Sequence, residues 1–230
     1  MGYERKLSAD EIAQQQMLIR SIEMNKKLDR VFLVRVATIV AMVLLIKALR
    51  SAIAAEDRNL VSLVTWGFIA IFMGIAVAYG VSVMKLGDSV EDFNHAGMCF
   101  IGAMVGIVFF YVSESFYCLY LTCAGLLTYI FKFVASMKRS IEGISKVVAV
   151  NWEILKISYI VGLSCAVVGL GGMLFIAANI VTAGIYVFSV YAVVALSVYE
   201  TVLLKITALC MKSFCKGKKI DPAMEYNVAE

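Results

Sequence analysis

Proline occurs once and histidine once in 230 residues. A single histidine, His95, cannot give one chain bis-histidine haem ligation or a histidine-rich zinc site. A single proline argues for straight, unbroken helices rather than the interrupted spans with which many carriers expose backbone to a solute. Charge is scarce as well: 17% of residues are Asp, Glu, Lys or Arg, clustered between long apolar runs. The six cysteines, Cys99, Cys118, Cys123, Cys165, Cys210 and Cys215, include no Cys-x-x-Cys pair. Most fall in apolar stretches, where a free thiol behaves as a small hydrophobe, so unpaired cysteines are expected. There is no phosphate-binding loop, dinucleotide fingerprint, zincin box, nucleophile elbow or selectivity-filter signature. Neither terminus carries a lipidation box.

What the chain has in excess is apolar surface. Hydrophobic residues make up 62% of it and the mean hydropathy is +0.88, against about 45–50% apolar in soluble domains. A water-soluble fold of this length cannot bury that surplus, so the solvent must be lipid. The fold class that follows is all-α, a polytopic membrane helix bundle of about six transmembrane helices. Six runs are near the ~20 residues that cross ~30 Å of hydrocarbon: 31–49, 63–84, 96–112, 116–134, 157–176 and 181–204, the last continuing as helix toward Cys215. The domain reading is a pre-span helix over 1–30, a membrane domain over 31–215 and a tail over 216–230. The first apolar run starts too late for a cleavable signal peptide, so span 1 is expected to act as an uncleaved signal-anchor.

The basic residues orient this scheme. Eighteen of the 21 Lys and Arg fall at the N-terminus, the tail and the even-numbered connections, and three, Lys47, Arg50 and Arg58, fall on the other side. The positive-inside rule then places both termini in the cytoplasm and favours an even number of spans. The expected location is the plasma (inner) membrane. The net charge of +4 follows from these inner lysines and implies no nucleic-acid partner.

Two segments flank the spans with patterns of their own. Ser8 and Glu11 form a capping box, and Leu7, Ile12, Met17, Leu18, Ile22 and Leu28 alternate with polar residues. This N-terminal amphipathic helix is expected to lie on the inner membrane surface or to extend span 1. Between spans 4 and 5, Ile141, Ile144, Val148 and Leu155 recur at helical steps, with Trp152 suited to the headgroup level. That reads as a lipid-facing interfacial helix, with extension of spans 4 and 5, or a docking surface for a cytoplasmic partner, as the alternatives.

Helix association in lipid needs close packing of small residues. Gly102 and Gly106 form a Gly-x-x-x-Gly pair in span 3. Gly162, Ala166, Gly169 and Gly172 line one face of span 5. Packing within the chain is the default reading, and a homo-oligomer interface the alternative.

Four polar residues are the candidates for function. His95 and Cys99 lie four apart, the minimum for a cysteine nucleophile with a base, yet a helix-start histidine at the inner interface is the simpler account. Glu114 falls in the short turn between spans 3 and 4. Arg35 lies in span 1 and Glu200 near the inner end of span 6. Snorkelling toward an interface suffices for both, and no carboxylate is expected at the midplane. Clustered catalytic groups are lacking, so no enzyme activity and no cofactor are expected. The leading function is a small permease, channel or exporter subunit. The alternative is a non-transporting scaffold, regulator or sensor acting through helix association with a membrane or cytoplasmic protein.

Overall fold

The computed structural model describes residues 9–54, 58–88, 92–113, 115–175 and 180–216. Over these residues the fold is all-helical. Six α-helices follow in order: α1 (Ala9–Ala54), α2 (Arg58–Met84), α3 (Asp92–Ser113), α4 (Phe116–Glu142), α5 (Lys146–Phe175) and α6 (Ile180–Cys215), with one 3₁₀ turn, Lys85–Asp88, between α2 and α3. Five of them, α2 to α6, are long and apolar enough to cross a membrane. Each helix packs on its neighbours in sequence, and α1 packs on α6, so the six close into a ring.

The pairs that join α1 to α6 fix their direction. Arg35 meets Glu200 at 2.6 Å and Asp29 meets Lys205 at 2.9 Å. The two helices therefore run antiparallel, and the start of α1 lies at the same end of the ring as the end of α6. The same end carries the α2–α3 and α4–α5 connections. There Asp92 at the start of α3 accepts from Lys132 and Arg139 of α4, and Glu153 of α5 meets Lys138 of α4.

The pre-span segment from Ala9 onward and span 1 are one helix. Leu18, Ser21, Met24, Leu28, Val31 and Arg35 are buried, at steps of three and four, which marks one continuous seam against the bundle. The sequence pattern looked only loosely periodic because polar Ser21 and charged Arg35 occupy seam positions. The capping-box Ser8 lies outside the described residues.

The segment between spans 4 and 5 corrects the lipid-facing reading. It is the end of α4 and the start of α5, joined by a tight turn in which the Val148 N–H is donated to Ser145 Oγ at 3.4 Å, a helix-start cap. Its apolar stripe faces the protein: Ile141, Trp152 and Leu155 are fully buried and Val148 nearly so. Trp152 is no headgroup anchor, because its Nε1–H is donated to Thr207 Oγ1 of α6 at 3.0 Å. A buried indole N–H needs such a partner.

The core sits toward this end of the ring. It includes Met24, Leu28 and Val31 of α1, Val83 of α2, Phe93 of α3, Phe133 and Met137 of α4, Trp152 and Leu155 of α5, and Leu203 and Leu204 of α6. Aromatic rings run through it in contact: Phe93 and Trp152 both meet Phe133 edge-on at 5.8 Å, and Tyr129 stacks on Phe133 at 5.3 Å. Toward the opposite end, Val43, Leu44, Leu63, Trp66 and Phe109 point outward, as lipid-facing side chains do.

Small residues set the closest helix approaches. A methyl group added at Gly169 would stand 2.8 Å from the Tyr186 backbone nitrogen, and one at Gly106 would stand 2.5 Å from Thr122 Oγ1. Gly162 and Gly172 face Val193 and Thr182 of α6 in the same way, and Ala166 is buried between them along the helix. Gly102 is different: a methyl there would meet nothing within 4 Å. Only backbone can give way at Gly169, so Gly169→Ala should lower stability by about 1–3 kcal/mol, while Gly102→Ala should be neutral. Thermal unfolding of both variants in detergent, followed by gel filtration, checks the contrast. Equal stability of the two would remove the close approach of α5 to α6.

Candidate functional site

Arg35 and Glu200 do not snorkel. They meet inside the ring, 8% and 1% exposed, and this overturns the sequence expectation for both. The reason is depth. Arg35 sits four residues beyond Val31, where span 1 begins, and Glu200 sits four residues before Leu204, where span 6 ends. In antiparallel neighbours those positions are level. Two opposite charges at one level on facing helices pair with each other, which costs less than leaving either to reach water alone.

Glu200 collects donors from around the ring. Its Oε2 accepts from Arg35 Nη2 at 2.6 Å and from the Tyr159 hydroxyl of α5 at 2.7 Å. Its Oε1 accepts from the Tyr129 hydroxyl of α4 at 2.9 Å, and the Tyr79 hydroxyl of α2 lies 3.4 Å away. Tyr79 and Tyr129 hydroxyls are 2.6 Å apart. Each phenol has one proton to give, so the arrangement that satisfies all distances has Tyr129 donating to Glu200 and Tyr79 donating to Tyr129. Arg35 Nη2 is also donated to Ser197 Oγ at 2.8 Å, one turn before Glu200 on α6. The guanidinium carbon stands 4.8 Å from the Tyr79 ring centre, a cation–π contact. Phe100 of α3 packs edge-on against Tyr79 at 4.9 Å. All six helices thus contribute a side chain.

A cavity of about 190 Å³ opens on this cluster. Arg35, Tyr79, Tyr129, Tyr159, Ser197 and Glu200 border it, and so do Ile39, Phe72, Ile75, Met104, Leu126 and Leu163. Each of these apolar residues lies one or two turns from the cluster, in the direction away from the packed core. The cavity is therefore a cup: polar at its floor, apolar in its walls apart from Thr38, whose hydroxyl is donated to the Val34 carbonyl oxygen, with the buried Val31, Val83, Phe133 and Leu203 beneath. Among the described residues, no three His, Cys, Asp or Glu side chains gather where they could hold a metal.

The remaining sequence candidates are placed as follows. His95 is exposed in the first turn of α3, and Cys99, one turn on, is half-buried against the core. Glu114 lies outside the described residues. Gly106 of α3 and Gly162, Gly169 and Gly172 of α5 stand at close helix approaches, whereas Gly102 does not. The residues that the sequence reading missed are Tyr79, Tyr129, Tyr159 and Ser197. No sequence signal marked the tyrosines: Tyr159 stands at the start of the run 157–176 and Tyr129 toward the end of 116–134, where span tyrosines ordinarily collect. The chain matches no protein-family model, no curated protein and no solved structure.

Removing one partner of a buried ion pair strands the other charge, which costs about 3–5 kcal/mol, whereas replacing both by apolar groups is often neutral. Glu200→Met and Arg35→Met should each destabilise the bundle by that amount, and the double variant Arg35→Met/Glu200→Met should recover most of it. Unfolding midpoints of the three variants in detergent test this. Additive losses in the double variant would mean that the two charges do not see each other.

Proposed function

We propose that this chain is a six-span membrane protein with the start of α1 and the end of α6 on the cytoplasmic side, and that its cup is a solute site of a small permease or exporter-type subunit. One observation carries the reading: a buried Arg–Glu pair with tyrosine hydroxyls forms the floor of a cavity enclosed by the whole ring. An ionisable group inside a membrane bundle is costly, and such groups mark solute or ion pathways by default. Ligand sites share this make-up, with apolar walls and few convergent polar groups. The placement of α1 and α6 ends together is what an even number of crossings requires, and the distribution of lysine and arginine favours that end as the inner one. On this orientation the cup faces outward and the packed core closes the cytoplasmic half. The plasma membrane is the location this reading assigns, and it assigns no catalysis.

A second reading has an observation of its own. Ile157, Val161, Cys165, Phe188, Ala192 and Tyr199 line an outward-facing groove of about 650 Å³ between α5 and α6. Its small and apolar lining suits a helix of a membrane partner, as a scaffold or regulator would need.

The two are separated by access to the cup. With the six native cysteines replaced, Ile39→Cys should react with a membrane-impermeant maleimide added to intact cells. Leu204→Cys, in the sealed core, should not. An Ile39→Cys side chain that stays unlabelled in both intact and permeabilised cells would leave the helix-partner reading standing alone.

A further inference from the structure

The donors and acceptors in the cup are not balanced, and the imbalance selects a ligand. A guanidinium has five N–H groups and a carboxylate about four acceptor sites. Three of the Glu200 sites are filled by Arg35, Tyr129 and Tyr159, and Tyr79 stands beside the fourth. Arg35 bonds to Glu200 and Ser197 through Nη2 alone. Its Nε and Nη1 groups have at most the Tyr79 hydroxyl to share among the described residues. Arg35 borders the cavity, so the cup offers N–H donors and no spare carboxylate oxygen. It suits a ligand that brings acceptors. The planar fork of Arg35 matches a carboxylate in particular, which it binds with two parallel hydrogen bonds. Above it, Ile39, Phe72, Met104 and Leu126 make an apolar wall, and the volume admits only a short chain or a single ring.

Charge adds a second condition. The groups that face Glu200 are Arg35 from α1, Tyr79 from α2, Tyr129 from α4 and Tyr159 from α5, with Ser197 on its own helix. The apolar Phe100 is what α3 brings to the cluster. With three neutral phenols the cluster is neutral as Arg⁺ and Glu⁻. A monoanion entering alone would leave one uncompensated negative charge in an apolar interior, at a cost of several kcal/mol. One proton taken from solution restores neutrality. Glu200 is the group that accepts it: its carboxylate becomes a neutral carboxyl, its ion pair with Arg35 is released, and Arg35 pairs with the incoming carboxylate instead. Charge balances, since one proton and one anion enter together.

We propose that the Arg35–Glu200 cup binds a small apolar monocarboxylate together with one proton. This rests on the solute-site reading above and names its substrate class.

The test uses the purified full chain in detergent, with hexanoate, hexan-1-ol and hexylamine as probes of equal apolar length. Calorimetry in buffers of different ionisation enthalpy counts protons. Hexanoate should bind with about one proton taken up per ligand, at a pH where the free acid is already ionised. Its affinity should therefore fall by about tenfold per pH unit as pH rises through the range in which the bound complex is protonated and the free protein is not. The alcohol and the amine should bind at least about tenfold more weakly. Glu200→Gln, which has no carboxylate to protonate, should bind hexanoate with no proton uptake and no such pH dependence. If that variant fails to fold, the proton count on the wild-type chain decides by itself. Hexanoate binding without a proton, or binding no tighter than hexanol or hexylamine, overturns the proposal. The two readings fail separately. If hexanoate binds with its proton but proteoliposomes show no uptake, the permease reading falls and this one stands. If Ile39→Cys is labelled from outside but hexanoate does not bind, the reverse holds.

Discussion

Everything in this bundle is arranged around one carboxylate that needs partners. Glu200 is 1% exposed, and its hydrogen bonds come from Arg35, Tyr129 and Tyr159 on three other helices, with Tyr79 of a fourth joined through Tyr129. No single helix pair can satisfy it. Apolar packing tolerates a slip of one helix past another, because one leucine contact resembles the next. A buried carboxylate does not, because a shift of one residue turns Arg35 away from it and strands two charges. The antiparallel level of α1 and α6, the depth of the three tyrosines and the position of the cup floor are all consequences of that single requirement. The small-residue contacts at Gly106 and Gly169 let the backbones come close. The polar cluster determines at which level they do so.

The architecture was legible in the sequence because its signal is redundant. Each expected span rests on about 20 mostly apolar residues, and over the described residues each falls within one observed helix. The small-residue face of α5 was visible as Gly162, Ala166, Gly169 and Gly172 at helical steps. The site was not legible in the same way, for it is made of one residue per helix. Arg35 and Glu200 each appeared as an isolated charge near a span end, and an isolated charge near an interface is explained by snorkelling. Only the level match between 31–35 and 200–204 on first and last helices hints at pairing, and it becomes a signal only once α1 and α6 are neighbours. Trp152 failed for a related reason. Tryptophan is frequent at headgroup depth, and the residue that overrides that tendency, Thr207, lies 55 positions away.

Packing along the ring is uneven, and the unevenness has a direction. On the core side of Glu200, Val31, Val83, Leu86, Phe93, Phe133, Trp152 and Leu203 are almost fully enclosed. On the other side the helices leave a cavity and show large apolar side chains to their surroundings. A bundle that worked only as a rigid anchor would gain by filling the cup, since every unfilled space forfeits dispersion contacts. The sequence instead places Arg35, Glu200 and three phenols at the border of an unfilled space, where the groups remain within reach of something entering.

The same arrangement addresses the main objection to a buried ion pair as a working part, that breaking it costs too much. Separating Arg35 from Glu200 with nothing in exchange would cost about 3–5 kcal/mol, and the population of the broken state would be small. A ligand carboxylate with a proton changes that balance, because one Arg–carboxylate pair is exchanged for another of the same kind and the displaced Glu200 becomes neutral. The Tyr129 and Tyr159 hydroxyls, which donate to the carboxylate in the resting arrangement, can still donate to the carbonyl oxygen of its neutral form, and the new O–H can turn to a phenol oxygen as acceptor. The three tyrosines thus keep the floor satisfied in both states, which a ring of leucines could not do. A ligand without acceptors provides no such exchange, and the pair that holds the ring in register then stays intact.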